Sequence, residues 1–463
     1  MTHVTQVCNL YYGSSFSPRL HLPKQTIEAM RAKNIYLLII FIFSNLILLA
    51  QEEAVTLEKL LTKIENNFSI KITEQDYMAA KAEFNQTNSI FLPNITISHS
   101  GISTNNPLMA FGSKLNQEIL IQADFNPALL NNPDKVQNFT TKVEVLQPIF
   151  NVDGIYMRKA AKAKMNAMQL QTNRTSDAIK LEVTKAFMQL QLAYKAVEVL
   201  TKAKETALAN KKIAGDNFKQ GYLQKADVLT VEVYASEVEN QLLTAKSNVE
   251  NTSDYIHFLI GETSDSKLRP TTELISELNL EVYNNQISNS RADIKAMEIS
   301  SDAYKNLYKA SKLSYLPRLN AFGSYELYDD KIFNADANGY LVGAQLSWNL
   351  FEGFKRIGKT QKNKANFDKA QLSLDQYKNQ SQLEFHKTKR QLKDAENSMK
   401  LTNLAVEQSK EALRIRTNRF KQGLEKSSDL LISETQYLQK QLEYLQAVFS
   451  YNYTKKQVEF LTK

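Results

Sequence analysis

A single cysteine, Cys8, serves a chain of 463 residues. It falls in a segment expected to be absent from the mature protein. A mature chain without it has no disulfides, no thiolate metal site and no cysteine for an N-terminal lipid anchor. The five histidines (His3, His21, His99, His257 and His386) have no neighbours at metal-ligand spacing, so they read as packed or solvated single side chains. There is no nucleophile elbow and no paired acid that a pocket would hold, so neither sequence pattern points to hydrolytic chemistry. No metal or other cofactor is implied. Thirteen glycines and nine prolines are few for this length. The excess of positive charge is modest, +8 with a pI near 9.0. The lysines are scattered along amphipathic stretches, which suits solvated helix faces better than a nucleic-acid surface.

What is present begins with one long apolar run. Arg31 and Lys33 precede Ile35-Tyr36-Leu37-Leu38-Ile39-Ile40-Phe41-Ile42-Phe43 and Leu46-Ile47-Leu48-Leu49, with a plausible cut at Ala50-Gln51. The run is short for a membrane span and polar residues follow at once, which outlines a secretory signal peptide; with Leu48 at the −3 position of the cut, an uncleaved N-terminal anchor is the alternative. Residues 1–50 therefore read as leader, with Met30 placed where such a peptide would start and 1–29 as an upstream extension.

The rest of the chain says the same thing twice. Phe218-Lys219-Gln220-Gly221 is followed by Asp227-Val228-Leu229, and Phe420-Lys421-Gln422-Gly423 by Asp429-Leu430-Leu431. The constant offset also carries Glu232 onto Glu434 and Phe258-Leu259 onto Phe460-Leu461. A unit this long exceeds any solenoid repeat, whose period runs roughly 20–50 residues. The predicted division is a first repeat at 51–260, a connecting element at 261–290 around Pro270, and a second repeat at 291–463.

Each copy has one order of elements. A first helix spans 55–85, and its counterpart spans 291–314, where Ser290-Arg291-Ala292-Asp293 resembles a capping box. Each runs into a Leu-Pro pair, Leu92-Pro93 and Leu316-Pro317, which should end it. Strands follow. Asn94-Ile95-Thr96-Ile97-Ser98 and Lys142-Val143-Glu144-Val145 alternate, and 342–350 puts Val342, Ala344, Leu346, Trp348 and Leu350 on one face and Gly343, Gln345, Ser347 and Asn349 on the other. Such alternation marks a strand between an apolar and a polar medium. Long helices come next: 155–214 holds no glycine or proline, and 359–422 is a second such rod. A helix returns from each FKQG bend, over 225–260 and from 427 onward. Heptad spacing supports paired rods. Phe385, Leu392, Met399, Val406 and Leu413 alternate with Thr388, Ala395, Thr402 and Ser409. In the first copy Val183, Leu190 and Val197 alternate with Ala186, Ala193, Leu200 and Ala207.

One motif misleads. Gly353-Phe354-Lys355-Arg356-Ile357-Gly358-Lys359-Thr360 fits the phosphate-binding pattern G-x-x-x-x-G-K-[ST]. The strand before it alternates instead of being wholly apolar, no doubly wound pattern surrounds it, and the equivalent turn at Phe150-Asn151-Val152-Asp153-Gly154 lacks the lysine. It reads as a strand-to-helix turn. The FKQG bends read as helix turns closed by Gly221 and Gly423, with Asp227 and Asp429 near the start of each returning helix. Four strands per chain cannot close a barrel, and open edges are not tolerated in lipid. Leader, one-faced strands and long rods together suggest a conduit through an outer membrane, completed by further subunits. A structural coiled-coil scaffold of the envelope without a pore is the alternative.

On these residues the sequence resembles the TolC family of outer-membrane export channels. The matching segments are 57–67, Leu92-Pro93, Tyr315-Leu316-Pro317, Gln147-Pro148-Ile149-Phe150, Trp348-Asn349-Leu350-Phe351-Glu352-Gly353, Arg291-Ala292-Asp293-Ile294-Lys295-Ala296 and both tips, over essentially 51–463. The resemblance implies a mixed α+β, mostly α membrane protein. Its helical hairpins would form a periplasmic α-barrel continuous with a trimeric 12-stranded β-barrel. It implies a homotrimer in outer-membrane lipid that works with a periplasmic adaptor and an inner-membrane pump, in efflux or type I secretion, without catalysis. Phe218, Gln220, Gly221 and Tyr222, with Phe420, Gln422, Gly423 and Leu424, match adaptor-docking tips. Asp429 matches an acidic residue of the periplasmic aperture, and Asp227 is its counterpart in the first copy. Two positions depart from the family: Ile432 replaces a second acid, and Glu425 stands where a basic latch residue is expected. The periplasmic entrance is therefore expected to close more weakly, or differently.

Overall fold

The computed structural model describes residues 52–276 and 286–463. The leader, with Cys8, lies outside them, as does part of the 261–290 connector. Among the described residues a small unit holds 52–53 and 265–267, joined by the Glu53 N–H donating to the Lys267 carbonyl at 2.9 Å. All that follows concerns the other unit, 54–264 and 268–463.

The first helix is broken where one element was expected. A short helix, Leu57–Lys63, ends in a 3-10 turn at Ile64–Asn66, and α1 (Phe68–Gln86) starts afresh. Asn67 causes the break. Its backbone is extended, its Oδ1 accepts from the Ser69 and Ile70 amides, and its Nδ2 donates to the Leu259 carbonyl at 2.7 Å. An N-cap and a distant carbonyl are satisfied by one buried amide, which a continuous helix could not do.

Four strands form one antiparallel sheet in chain order: β1 (Asn94–Thr104), β2 (Val136–Phe150), β3 (Arg318–Asp329) and β4 (Ala337–Ser347). β1 and β2 outlast the segments that alternation marked. The β2–β3 pairing joins the two copies. Register places Ile95 opposite Val145, Val145 opposite Gly323, and Gly323 opposite Val342; the next row runs Ile97, Val143, Tyr325, Tyr340. Residues directly opposite share a face, so one apolar stripe crosses all four strands. The other face carries Lys142, Glu144, Ser324 and Glu326, with the Lys142 ammonium 3.4 Å from the Glu326 carboxylate. β4 stops at Ser347, so Trp348 and Leu350 lie beyond the strand expected over 342–350. Trp348 Nε1 instead donates to the Tyr315 carbonyl at 2.9 Å and ties down the turn.

The rods are as long as the missing glycines and prolines suggest. α2 (Val152–Lys219) runs 68 residues, roughly 100 Å at 1.5 Å per residue. α3 (Lys225–Leu259) returns along it. α4 (Ala292–Leu313) precedes β3, and α5 (Lys355–Lys421) pairs with α6 (Ser427–Thr462). The heptad stripes are buried or half-buried: Val183, Leu190 and Ala186 pack with Ile256 and Leu60, Met399 packs with Val448, and Phe385 packs with Val458 and Leu461. The capping box at 290–293 does not form. Arg291 occupies the N-cap without capping a backbone amide; its guanidinium bonds the Asp293 carboxylate, which also meets Arg174. None of the helices among the described residues is long and apolar enough to cross a membrane.

Candidate functional site

The two hairpin tips repeat each other in their bonding. In the first, the Gly221 N–H donates to the Phe218 carbonyl at 3.0 Å and the Tyr222 N–H to that of Asn217 at 2.9 Å. In the second, Gly423 donates to Phe420 at 3.0 Å and Leu424 to Arg419 at 2.9 Å. Gly221 has φ +79° and Gly423 φ +73°. That left-handed conformation lets the chain leave one helix and start the next, and it favours glycine. The sequence duplication is thus a duplication of one turn, down to the same carbonyls.

The side chains around the turns differ. Tyr222 is 77% exposed and Leu424 63%, so each tip presents one large apolar group. Gln220 and Gln422 are exposed beside them. Phe218 is partly exposed with the Lys225 ammonium 5.8 Å from its ring, whereas Phe420 is buried. Asp227 caps α3 by accepting from the Gln224 amide at 3.1 Å, and its other oxygen accepts from the Ser427 hydroxyl at 3.3 Å. The start of α3 is thereby tied to the start of α6. Asp429, the equivalent carboxylate on α6, is half-buried and has no hydrogen-bond partner among the described residues.

Glu425 is spent inside its own hairpin. It accepts from Arg416 Nη1 at 2.6 Å and Arg419 Nε at 2.8 Å, and the Arg419 bond in particular holds its carboxyl below the usual range. The basic character of this turn therefore comes from the end of α5, not from the position after the glycine. Ile432, where a second acid was expected, is 56% exposed.

At the other end of the rods the strands hand over to helices. The phosphate-loop pattern has no loop here. Gly353 and Phe354 take positive φ, α5 has begun at Lys355, and the Gly358 N–H already donates to the Phe354 carbonyl at 3.1 Å. The amides a phosphate would need are inside a helix. Exposed Trp348, Leu350, Phe351 and Phe354 surround this turn.

Two stretches, 62–262 and 284–461, match the profile of the family described as outer membrane efflux protein. The chain belongs to the outer membrane efflux protein family. Membership places this efflux protein in the bacterial outer membrane with its helices extending into the periplasm. One matched stretch falls on each repeat. No curated protein matches it significantly in sequence. Its fold is similar to the CmeC outer membrane channel of Campylobacter jejuni, at 16% identity over 88% of this chain and 85% of that one, with a TM-score of 0.76. The outer membrane protein VceC of Vibrio cholerae is 16% identical over 88% and 96%, TM-score 0.71. The MtrE outer membrane channel of Neisseria gonorrhoeae, solved in an open state, is 13% identical over 88% and 88%, TM-score 0.71.

One group of residues is only partly legible in the sequence. Arg174, Arg291, Asp293 and Tyr377 meet in a buried cluster from α2, α4 and α5 and the residue before α4, although only the Arg291-Ala292-Asp293 segment had been singled out. Nothing in the sequence pairs Arg174 with a carboxylate more than a hundred residues away.

Proposed function

We propose that three copies of this chain close a 12-stranded barrel in the outer membrane and a helical tunnel below it, forming the passive exit duct of a tripartite efflux or type I secretion system. The observation that carries this is the sheet. It is one continuous apolar face over four strands, ending in two open edges at β1 and β4. Unpaired edges in hydrocarbon leave backbone groups without partners, at several kcal/mol each. Identical neighbours, β4 to β1, satisfy them. The exposed rings at 348–354 and Tyr315 then sit at the headgroup level, as aromatic belts do.

In this reading the repeats at 51–260 and 291–463 each supply one hairpin to the tunnel, with 261–290 beside it. The tips at Phe218, Gln220, Gly221 and Tyr222 and at Phe420, Gln422, Gly423 and Leu424 receive a periplasmic adaptor, which links them to an inner-membrane pump. Tyr222 and Leu424 are the side chains best placed to enter its grooves. Asp227 and Asp429 stand at the aperture, with Asp429 the freer of the two to meet a passing cation.

Detergent-purified protein should run as a heat-resistant trimer and conduct ions in planar bilayers. A freely soluble monomer, or trimers without conductance, would defeat the proposal in favour of a scaffold. Asp429→Ala should weaken block by divalent cations more than Asp227→Ala does, because Asp227 is already engaged by Gln224 and Ser427. Equal effects in single-channel recordings would remove Asp429 from the aperture.

A further inference from the structure

The two copies differ at one buried acid. In the first hairpin Glu232, on α3, lies 3.4 Å from the Lys211 ammonium of α2, a partly exposed ion pair. The duplication carries Glu232 onto Glu434 of α6 and Lys211 onto Leu413 of α5. The acid has been kept and its lysine replaced by a hydrocarbon.

Glu434 is 4% exposed. One carboxyl oxygen accepts from the Nδ2 of Asn210, which belongs to α2 of the other hairpin. The other oxygen, Oε2, is buried with no hydrogen-bond partner. Beside it lies a cavity of about 130 Å³ lined by Ala203, Thr206, Tyr234, Leu413, Tyr437 and Leu438, so it opens between α2, α3, α5 and α6. A carboxylate sealed in such a junction without a counter-charge is unfavourable, and the protonated acid is not.

We propose that Glu434 is a proton-binding site that couples the packing of the two hairpins to periplasmic pH: neutral, it seats α6 against α2 and α3 near the tips, and ionised, it loosens that junction.

The groups facing it on each side agree. α2 offers Asn210 and Lys202, the latter 71% exposed and 2.8 Å from Glu198. α3 offers Tyr234, a neutral phenol whose own ionisation burial pushes up. α5 offers Leu413, and α6 adds Tyr437 and Gln441. None of the groups lining the cavity is a cation placed against Oε2. Burial raises the Glu434 carboxyl to about 7, opposed by the Asn210 bond. An acid raised in the folded state favours packing fully below its ordinary value of 4.5, and the benefit is lost as pH rises through 7. The junction is therefore tightest in acid and loosest above neutrality.

The test is an inter-hairpin distance, which needs neither pore nor adaptor and so stands apart from the conduit reading. Spin labels go on Ala209→Cys of α2 and Gln436→Cys of α6, both exposed, in a full chain carrying Cys8→Ser. Labelled chains are diluted among unlabelled ones, and the distance distribution is read by pulsed electron resonance from pH 5 to 8. The expected result is a shift to longer, broader distances with a midpoint near 7. Glu434→Gln, which keeps the bond from Asn210 but cannot ionise, should hold the acid distribution throughout. Leu413→Lys, which restores the first hairpin's ion pair, should also abolish the step. A wild-type distance that does not move with pH, or a step that survives Glu434→Gln, overturns the proposal.

Discussion

Asp293 is the counter-charge for two buried arginines. Its Oδ1 and Oδ2 accept from Arg291 at 2.8 Å each, Arg174 Nε lies 3.0 Å away, and the Tyr377 hydroxyl donates at 2.8 Å. Arg174 also stacks 3.6 Å over the Phe460 ring. Burial opposes ionisation of Asp293, but the bonds from Arg291 and Tyr377 and the charge of Arg174 outweigh it and hold the carboxyl below its ordinary value of 3.8. A depressed acid stabilises the fold above that ordinary value and ceases to do so as pH falls through the depressed one. Asp293→Asn should cost about 3–5 kcal/mol, because it strands two buried cations. It should also remove the part of the acid-induced loss of stability that begins below pH 3.8. Thermal unfolding of both proteins across that range measures each effect. An unchanged unfolding temperature at pH 7 would mean that water reaches the arginines.

The hairpins were the most legible elements, and the reason is periodic. A heptad stripe is a local pattern that one continuous helix presents repeatedly to one neighbour, so Leu190, Phe385 and Met399 declare their burial in sequence. Phe385 is 1% exposed between Val458 and Leu461. Phe385→Ala should destabilise the α5–α6 hairpin by about 3–5 kcal/mol, read as faster amide exchange along both helices. Val406, half-buried in the same stripe, should cost less as alanine. The break at Asn67 was illegible because its cause is a bond to Leu259 in another helix. Strand ends were misread for a related reason: alternation continues through Trp348 and Leu350, but pairing stops with the partner strand at Arg318. The tips were legible as turns, since glycine at a fixed offset has one physical cause. The exchange of Lys211 for Leu413 opposite a retained acid was also written in the duplication, and it emerges only when the copies are aligned across helices rather than along them.

One apolar stripe over four strands constrains the whole assembly. Ile97 is 72% exposed and Val342 74%, and no soluble chain gains by presenting such side chains in rows across a sheet. In a barrel they face lipid, while Lys142 and Glu326 on the opposite face line water. The two faces should therefore answer differently to the same charge. Val342→Lys should cost about 2–4 kcal/mol if it lies near the bilayer midplane, with less protein recovered as trimers in outer-membrane fractions. Lys142→Gln breaks a cross-strand pair of 3.4 Å that solvent already screens, so trimer yield should stay within error and only ion selectivity should shift. Reversed outcomes, with the lysine at 342 tolerated and the loss at 142 preventing assembly, would turn the sheet inside out. The open edges at β1 and β4 would then need a covering other than identical subunits in a membrane.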